Sequence, residues 1–387
     1  MRSAVIVDAV RSPVGRRNGI LKDWHPVDLS GHVISTLVER TGVDPAQVDD
    51  VIWGCVSQIG EQTANIGRFA ALAAGFPDYI PGVTIDRQCG SSQQAVIFAA
   101  QGIMAGVQDI VVAGGIESMT RIPMGSTFSQ GPGVPFGPRV MERFENQMVP
   151  QGISAEMMAE KWGVSRERLD EISYDSHVRA ARAIDEGRFE SQIAPVEIKL
   201  PDGTTTMAAT DEGVRRGTTV EKLAALKPAF KEDGIVTAGN SSQISDGAGA
   251  LLIVGEDTAE KMGWEPMARV SHFSVVGADP VLMLDAPIPA TFKVLERADM
   301  DIGDIDLVEM NEAFASVVAA WLIETGADWD KVNVNGGAIA LGHPLGASGS
   351  VLMTRLVHEM ARTGARYGLQ AMCEGGGTSN ATILERI

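Results

Sequence analysis

With 387 residues the chain exceeds the roughly 250 to 300 at which a single hydrophobic core stops growing, so two or three packed units are expected. Apolar residues make up 44% and charged residues 21%, which excludes a disordered chain. A net charge of -18 works against nonspecific nucleic-acid or anionic-membrane binding, so any anionic ligand must meet a local basic patch.

The opening MRSAVIVDAVRSP alternates like a strand and lacks the charged, long apolar and small-residue order of a signal peptide. No apolar run reaches the roughly 18 residues of a membrane span. Cys55, Cys89 and Cys373 are spaced for neither a disulfide framework nor a zinc site, so a reducing cytoplasm is the expected compartment.

Short apolar runs alternate with amphipathic stretches: VIVDAV near residue 5, a helix-like stretch from Val27 to Arg40 ending at Gly42, VDDVIWGCV from Val48, and a helix-like stretch from Asn65 to Ala74. GVTIDR then leads into a helix beginning near Gly90, followed by the strand-like DIVVAGG from Asp109. This is the rhythm of a buried, mostly parallel α/β sheet.

From about Thr120 to Ala238 the rhythm breaks down into a stretch rich in Gly, Pro and charge, with helices expected at Ala155 to Lys161 and Arg166 to Gly187. It reads as an insertion packed over the sheet domains. Alternation returns at ALLIVG from Ala250, and the order of the first half repeats. IDLVEMNEAFA from Ile305 resembles VDDVIWGCV, VNVNGG from Val332 resembles GVTIDR, and LQAMCEGGG from Leu369 resembles DIVVAGGIE, at offsets agreeing to within about ten residues. Two similar α/β halves facing each other are expected: 1–119, completed by about 239–265, and 266–387, with 120–238 as a loop domain.

Five segments carry chemistry. In DRQCGSSQQA, Cys89 ends a strand and starts a helix, where free backbone N–H groups and the positive helix end can lower a thiol pKa well below about 8.5; a lone Cys can equally be a small buried hydrophobe. VNVNGGAIALGHPLGASG places His343 before Pro344, with Gly342 and Gly346 allowing close approach of backbone or ligand; a hydrogen-bonded loop histidine is the plainer alternative.

MCEGGG puts Cys373 at a strand end before three glycines, so its thiol could move protons while glycine amides bind an oxyanion; a tight turn after a buried strand would look the same. In NEAFA, Asn311 could cap a helix or hold a water or substrate oxygen, with Glu312 supporting it. In NSSQISDGAGA, a polar turn running into an apolar strand, Ser242 could touch a ligand or belong to a plain turn. Cys55 has no glycine-rich exit or helix start directly after it and is expected in the core.

Together the GHP segment, the NEAF segment and the CxGG-like end, in this order, resemble the thiolase family over essentially the whole chain. The resemblance implies a layered α-β-α-β-α core of two similar βαβαβ halves, with the inserted loop domain covering the active site and binding coenzyme A. It implies Cys89 as acyl-accepting nucleophile, His343 as its activating base, Cys373 as second acid/base and Asn311 as holder of a catalytic water. That water and His343 would form one oxyanion hole, and the N–H groups of Cys89 and Gly375 the other.

For coenzyme A the resemblance implies contacts from Ser242 and from Arg215 in RRGTT, an arginine that suits a phosphate in an acidic protein. Coenzyme A is thus expected as co-substrate, with no permanently bound cofactor, no metal, no nucleic-acid or membrane partner, and a homo-oligomer, dimer or tetramer. The implied reaction is cleavage of 3-oxoacyl-CoA by CoA in degradative lipid metabolism such as fatty acid β-oxidation, with short-chain acetyl-CoA C-acetyltransferase activity as the alternative.

Thiolases often read CGSG after the nucleophile and PMG before the acyl-facing loop, whereas this chain has CGSSQQA and Pro150-Gln151-Gly152. CGSSQQA and SSQISDGA are similar to thiolases that degrade steroid side chains in actinobacteria, which implies room for a branched or ring-bearing acyl chain. A decarboxylating ketoacyl synthase would use two His or His plus Asn in place of a second Cys, so Cys373 argues against it. A non-catalytic acyl-CoA-binding protein would not need Cys89, and a redox or metal protein would need the local ligand spacing that is lacking here.

Overall fold

The computed structural model describes residues 2–387. Among the described residues twelve strands form: β1 (Ala4–Arg11), β2 (Gly15–Arg16), β3 (Asp50–Gly54), β4 (Gly82–Ile85), β5 (Ile110–Ser118), β6 (Val196–Lys199), β7 (Thr205–Ala208), β8 (Ser245–Gly255), β9 (Ala268–Gly277), β10 (Leu307–Met310), β11 (Tyr367–Glu374) and β12 (Thr378–Glu385). All but β6 and β7, which pair with each other, join one ten-stranded sheet ordered β10-β11-β12-β9-β1-β8-β5-β3-β4, with β2 beside β8.

The order is a repeat read in both directions from a seam. Between β1 and β9 only two residue pairs are made, Val5 with Arg269 and Ile6 with Ala268. On one side lie β8, β5, β3 and β4; on the other β12, β11, β10 and a single parallel bridge from Val308 to Val332. Thus β3 matches β10, and β5 matches β11, as the repeated motifs require.

The mostly parallel sheet expected from the rhythm is corrected. Apart from single bridges, parallel pairing is confined to β3 with β4 and β5 and to β10 with β11, while β1–β8, β5–β8, β1–β9, β9–β12 and β11–β12 are antiparallel. The cause is the return of β8 and β12, each of which enters its sheet without a crossover helix of the βαβ kind. VNVNGG is not a strand either: after the Val332 bridge, Asn333 turns to φ +48° and its side chain takes both backbone groups of Met310, at 2.9 Å each.

The layering follows from strand alternation. On β1, Ala4, Ile6 and Ala9 face one way, toward Ala95, Ala99 and Ile103 of helix Ser91–Met104 and Met353, Leu356 and Met360 of helix Ser348–Thr363. Val5, Val7 and Val10 face the other way, onto helices Pro26–Thr41 and Ile66–Ala73. The second half is covered by helices Pro287–Ala298 and Ala315–Thr325, with Gln151–Lys161 and the start of Arg166–Asp185 in the same core. Taken as two halves either side of the β1–β9 seam, the sheet gives five layers: helices, half-sheet, two central helices, half-sheet and helices. The two central helices are those that start just after Cys89 and His343, so the fold brings both loops to one end of the middle layer.

Candidate active site

The turn that presents Cys89 is tightly fixed. Gln88 takes φ +47°, a left-handed conformation costly for a side chain, and Ser91 Oγ accepts from Arg87 N (2.9 Å) while donating to Gln88 O (2.6 Å). A Cβ on Gly90 would lie 1.9 Å from Glu374 Oε1, so a side chain there would force the Glu374 carboxyl at the end of β11 to move. Cys89 is 4% exposed and packs with Leu352, Met372 and Leu345.

Cys373 sits next to last on β11, beside the loop that leaves β10. Asn311 N donates to Ala371 O (3.0 Å), and Asn311 Nδ2 approaches Cys373 Sγ at 3.6 Å, leaving the buried Asn311 Oδ1 without a partner. Asn311 does not cap the following helix, which begins at Ala315 with Phe314 in the cap position. The polar oxygen is therefore free for a ligand.

The expectation of a lowered Cys89 pKa is overturned. Burial pushes this thiol well above its ordinary value, and the nearby Cys373 and Glu374 add to that push, outweighing the backbone N–H of Gly375 and its own N–H that favour a thiolate. Burial raises Cys373 to about 12 and Glu374 to about 8. A helix start is a weaker influence than loss of water.

His343 is delivered by the loop after Gly342, whose φ of +104° and contact with Ser245, 2.2 Å from where a Cβ would sit, exclude a side chain. Its backbone N–H bonds Gln243 O and Ser245 Oγ, both at 3.2 Å. Ser348 Oγ donates to Pro344 O (2.8 Å), so toward His343 Nδ1, 2.6 Å away, it can only accept. Nδ1 thus carries the proton, and Nε2, buried and unpartnered, holds a free lone pair. Burial lowers His343 to about 4, so the imidazole is neutral at physiological pH.

Two carboxylates lock these loops together. Glu312 accepts from Ser176 Oγ (2.6 Å), Asn333 Nδ2 (2.9 Å) and Ile339 N (3.2 Å), tying the Asn311 loop to the segment leading to His343. Glu117, fully buried at the end of β5, accepts from Val56 N, Ser57 N, Gln62 Nε2 and Gly346 N at 2.8 to 3.0 Å. A Cβ on Gly346 would meet Cys55 Cα at 2.6 Å, so buried Cys55 forms the floor beneath this loop.

Ser242 N bonds Ala313 O at 2.9 Å, which sets Ser242 beside the Asn311 loop. Arg215 lies in a cleft of about 330 Å³ with Arg182, Arg216 and His177, and its backbone N donates to His177 Nδ1 at 3.2 Å. Arg216 is held by Asp185, whereas among the described residues the Arg215 guanidinium has no carboxylate partner. Gln243 Nε2 joins the two regions by bonding Gly213 O, Ile339 O and Ala340 O. Sequence reading missed Ser348, Ser245, Gln243 and Glu117; the Ser five residues after His343 was visible, but its role depends on the turn at Pro344.

Family models for the thiolase N-terminal domain and the thiolase C-terminal domain match residues 4–257 and 264–386. The chain is 50% identical over 393 residues to a steroid 3-ketoacyl-CoA thiolase, FadA6, of Mycobacterium tuberculosis, covering 100% of this chain and 95% of that protein. It is 44% identical over 392 residues to a 3-ketoacyl-CoA thiolase of Aliivibrio salmonicida, with 100% of both covered. Among solved structures, the acetyl-CoA acetyltransferase of Bacillus anthracis superposes with a TM-score of 0.90 at 40% identity, covering 100% of this chain and 99% of that one.

Proposed function

Because the chain belongs to the thiolase family and is an acyltransferase, we propose that it cleaves 3-oxoacyl thioesters with free coenzyme A through an acyl-Cys89 intermediate, in the degradative direction. The observation that carries the mechanism is His343: a buried, neutral imidazole whose tautomer is fixed so that the unpartnered nitrogen is a base.

In this reading Nε2 of His343 takes the Cys89 proton as the sulfur attacks the 3-oxo carbon. The resulting oxyanion is held by the N–H groups of Cys89 and Gly375. The C2–C3 bond then breaks, its electron pair moves to C2, and the Cys373 thiol protonates that carbon to release acetyl-CoA. A thiol pushed up to about 12 is still protonated at neutral pH, as a donor to a carbanion must be. During this step the enolate-like oxygen faces His343, now imidazolium, and a water held by Asn311 Oδ1.

Incoming coenzyme A loses its thiol proton to Cys373, attacks the acyl carbon and expels Cys89, which recovers its proton from His343. Arg215 and Ser242 line the path of the coenzyme, the arginine meeting phosphate. A homo-oligomer, dimer or tetramer, in the cytoplasm belongs to the same proposal, as does a branched or ring-bearing acyl chain, by likeness to the steroid thiolase. An open groove of about 820 Å³, lined by Gly376, Gly377 and Thr378 just beyond Gly375 and by Met157 and Phe144 together with the charged Arg143, Glu145 and Asp279, leaves room for such a chain.

The test is loss of 3-oxoacyl thioester absorbance with free coenzyme A present, comparing acetoacetyl-CoA with long-chain and steroid-side-chain substrates. Turnover of the bulky substrates at higher kcat/KM than acetoacetyl-CoA is expected; the reverse order would make the enzyme a short-chain acetyltransferase, and no turnover at all would sink the reading.

A further inference from the structure

The wall of the acyl site beside Gly375 is polar. A Cβ on Gly375 would lie 2.9 Å from Gln88 Oε1 and 3.3 Å from Gln151 Nε2, so two side-chain amides from different elements converge beside Gly375, the residue whose N–H is proposed to hold the oxyanion. Gln88 comes from the strained turn before the nucleophile, and Gln151 opens helix Gln151–Lys161. The Gln88 amide is oriented, because its Nε2 bonds Asp86 Oδ1 and Oδ2 at 3.2 and 3.3 Å, which turns Oε1 toward Gly375. Neither Gln88 Oε1 nor the Gln151 side chain bonds any other group among the described residues.

An acceptor and a donor facing the same space match one chemical group that does both, an alcohol. A purely hydrocarbon chain there would strip water from both amides and return nothing. Further along the same helix, Met157 lines the open groove of about 820 Å³ that Gly376 and Gly377 also border.

We propose that Gln88 and Gln151 are specificity-determining residues that select 3-oxoacyl thioesters whose transferred acyl group carries a hydroxyl within a few carbons of the thioester carbonyl. This inference rests on the acyl-transfer reading above and adds the acyl class.

The experiment compares coenzyme A-dependent thiolysis of 5-hydroxy-3-oxohexanoyl-CoA and 3-oxohexanoyl-CoA by the full-length protein. Wild type is expected to favour the hydroxylated substrate roughly tenfold in kcat/KM, the discrimination typical of one neutral hydrogen-bonding group. Gln151→Met and Gln88→Met should each bring the ratio toward one, by lowering turnover of the hydroxylated substrate and raising that of the hydrocarbon one. A wild-type ratio near one, unmoved by either substitution, would overturn the inference while acyl transfer itself stands. The wild-type ratio needs no variant, so misfolding of a variant cannot hide the answer. Failure of wild type to turn over either substrate would remove the acyl-transfer reading and this inference with it.

Discussion

Ser348 spends its one hydroxyl proton on Pro344, and that small commitment gives His343 its base nitrogen. His343→Ala should lower kcat/KM for thiolysis by about 10²- to 10⁴-fold, and should slow alkylation of Cys89 by iodoacetamide near neutral pH. An unchanged alkylation rate would remove His343 from the activating role. Cys89→Ala should abolish acyl transfer, whereas Cys373→Ala should block carbon–carbon cleavage and still permit slow acylation of Cys89 from a simple acyl-CoA, read by mass spectrometry. With His343 lowered to about 4, the acid limb of kcat/KM should lie near that value, not near the 6.5 of a solvated imidazole. The same shift bears on stability: the unfolded chain binds a proton at His343 more readily below 6.5, so its contribution to folding, complete above that pH, is lost progressively as pH falls toward 4.

At the scale of elements, loops from both halves are positioned by buried carboxylates. Glu117→Ala would leave four donors unpaired, including Gly346 N of the His343 loop, and should destabilise the protein by on the order of 3 kcal/mol in chemical denaturation. It should also raise hydrogen exchange at residues 345–347. The motifs carrying Cys89, His343, Cys373 and Asn311 were legible because each sits at a junction marked by glycine or a helix start. The helices expected at Ala155–Lys161 and Arg166–Gly187 formed with ends near those expected. Less was legible where one segment's role depends on a distant one. VNVNGG has strand-like alternation, but the Asn333 side chain replaces the ladder it would need. The antiparallel entry of β8 and β12 is set by chain return, which hydropathy does not encode. Local sequence shows the helix start at Cys89 but not the depth of burial, which is what raises its pKa.

For the molecule as a whole, the insertion is anchored as well as packed. Arg11 on β1 makes a bidentate pair with Asp211, at 2.7 and 2.9 Å, and both side chains are almost wholly buried. Arg11→Met should cost about 3 to 5 kcal/mol, because Asp211 would remain as a buried charge without its partner; thermal unfolding of the two proteins side by side checks this. The strand order carries a further consequence, for synthesis. β8 lies between β1 and β5, yet it leaves the ribosome after the entire insertion, so until Gly255 emerges two buried apolar strands stand beside an empty slot. A nascent chain of this protein therefore carries unpaired, aggregation-prone edges for about a third of its translation, from Ser118 to Gly255, and a fragment ending before Ser245 should be captured by chaperones or degraded by protease, while one extended past Gly255 fills the slot between β1 and β5.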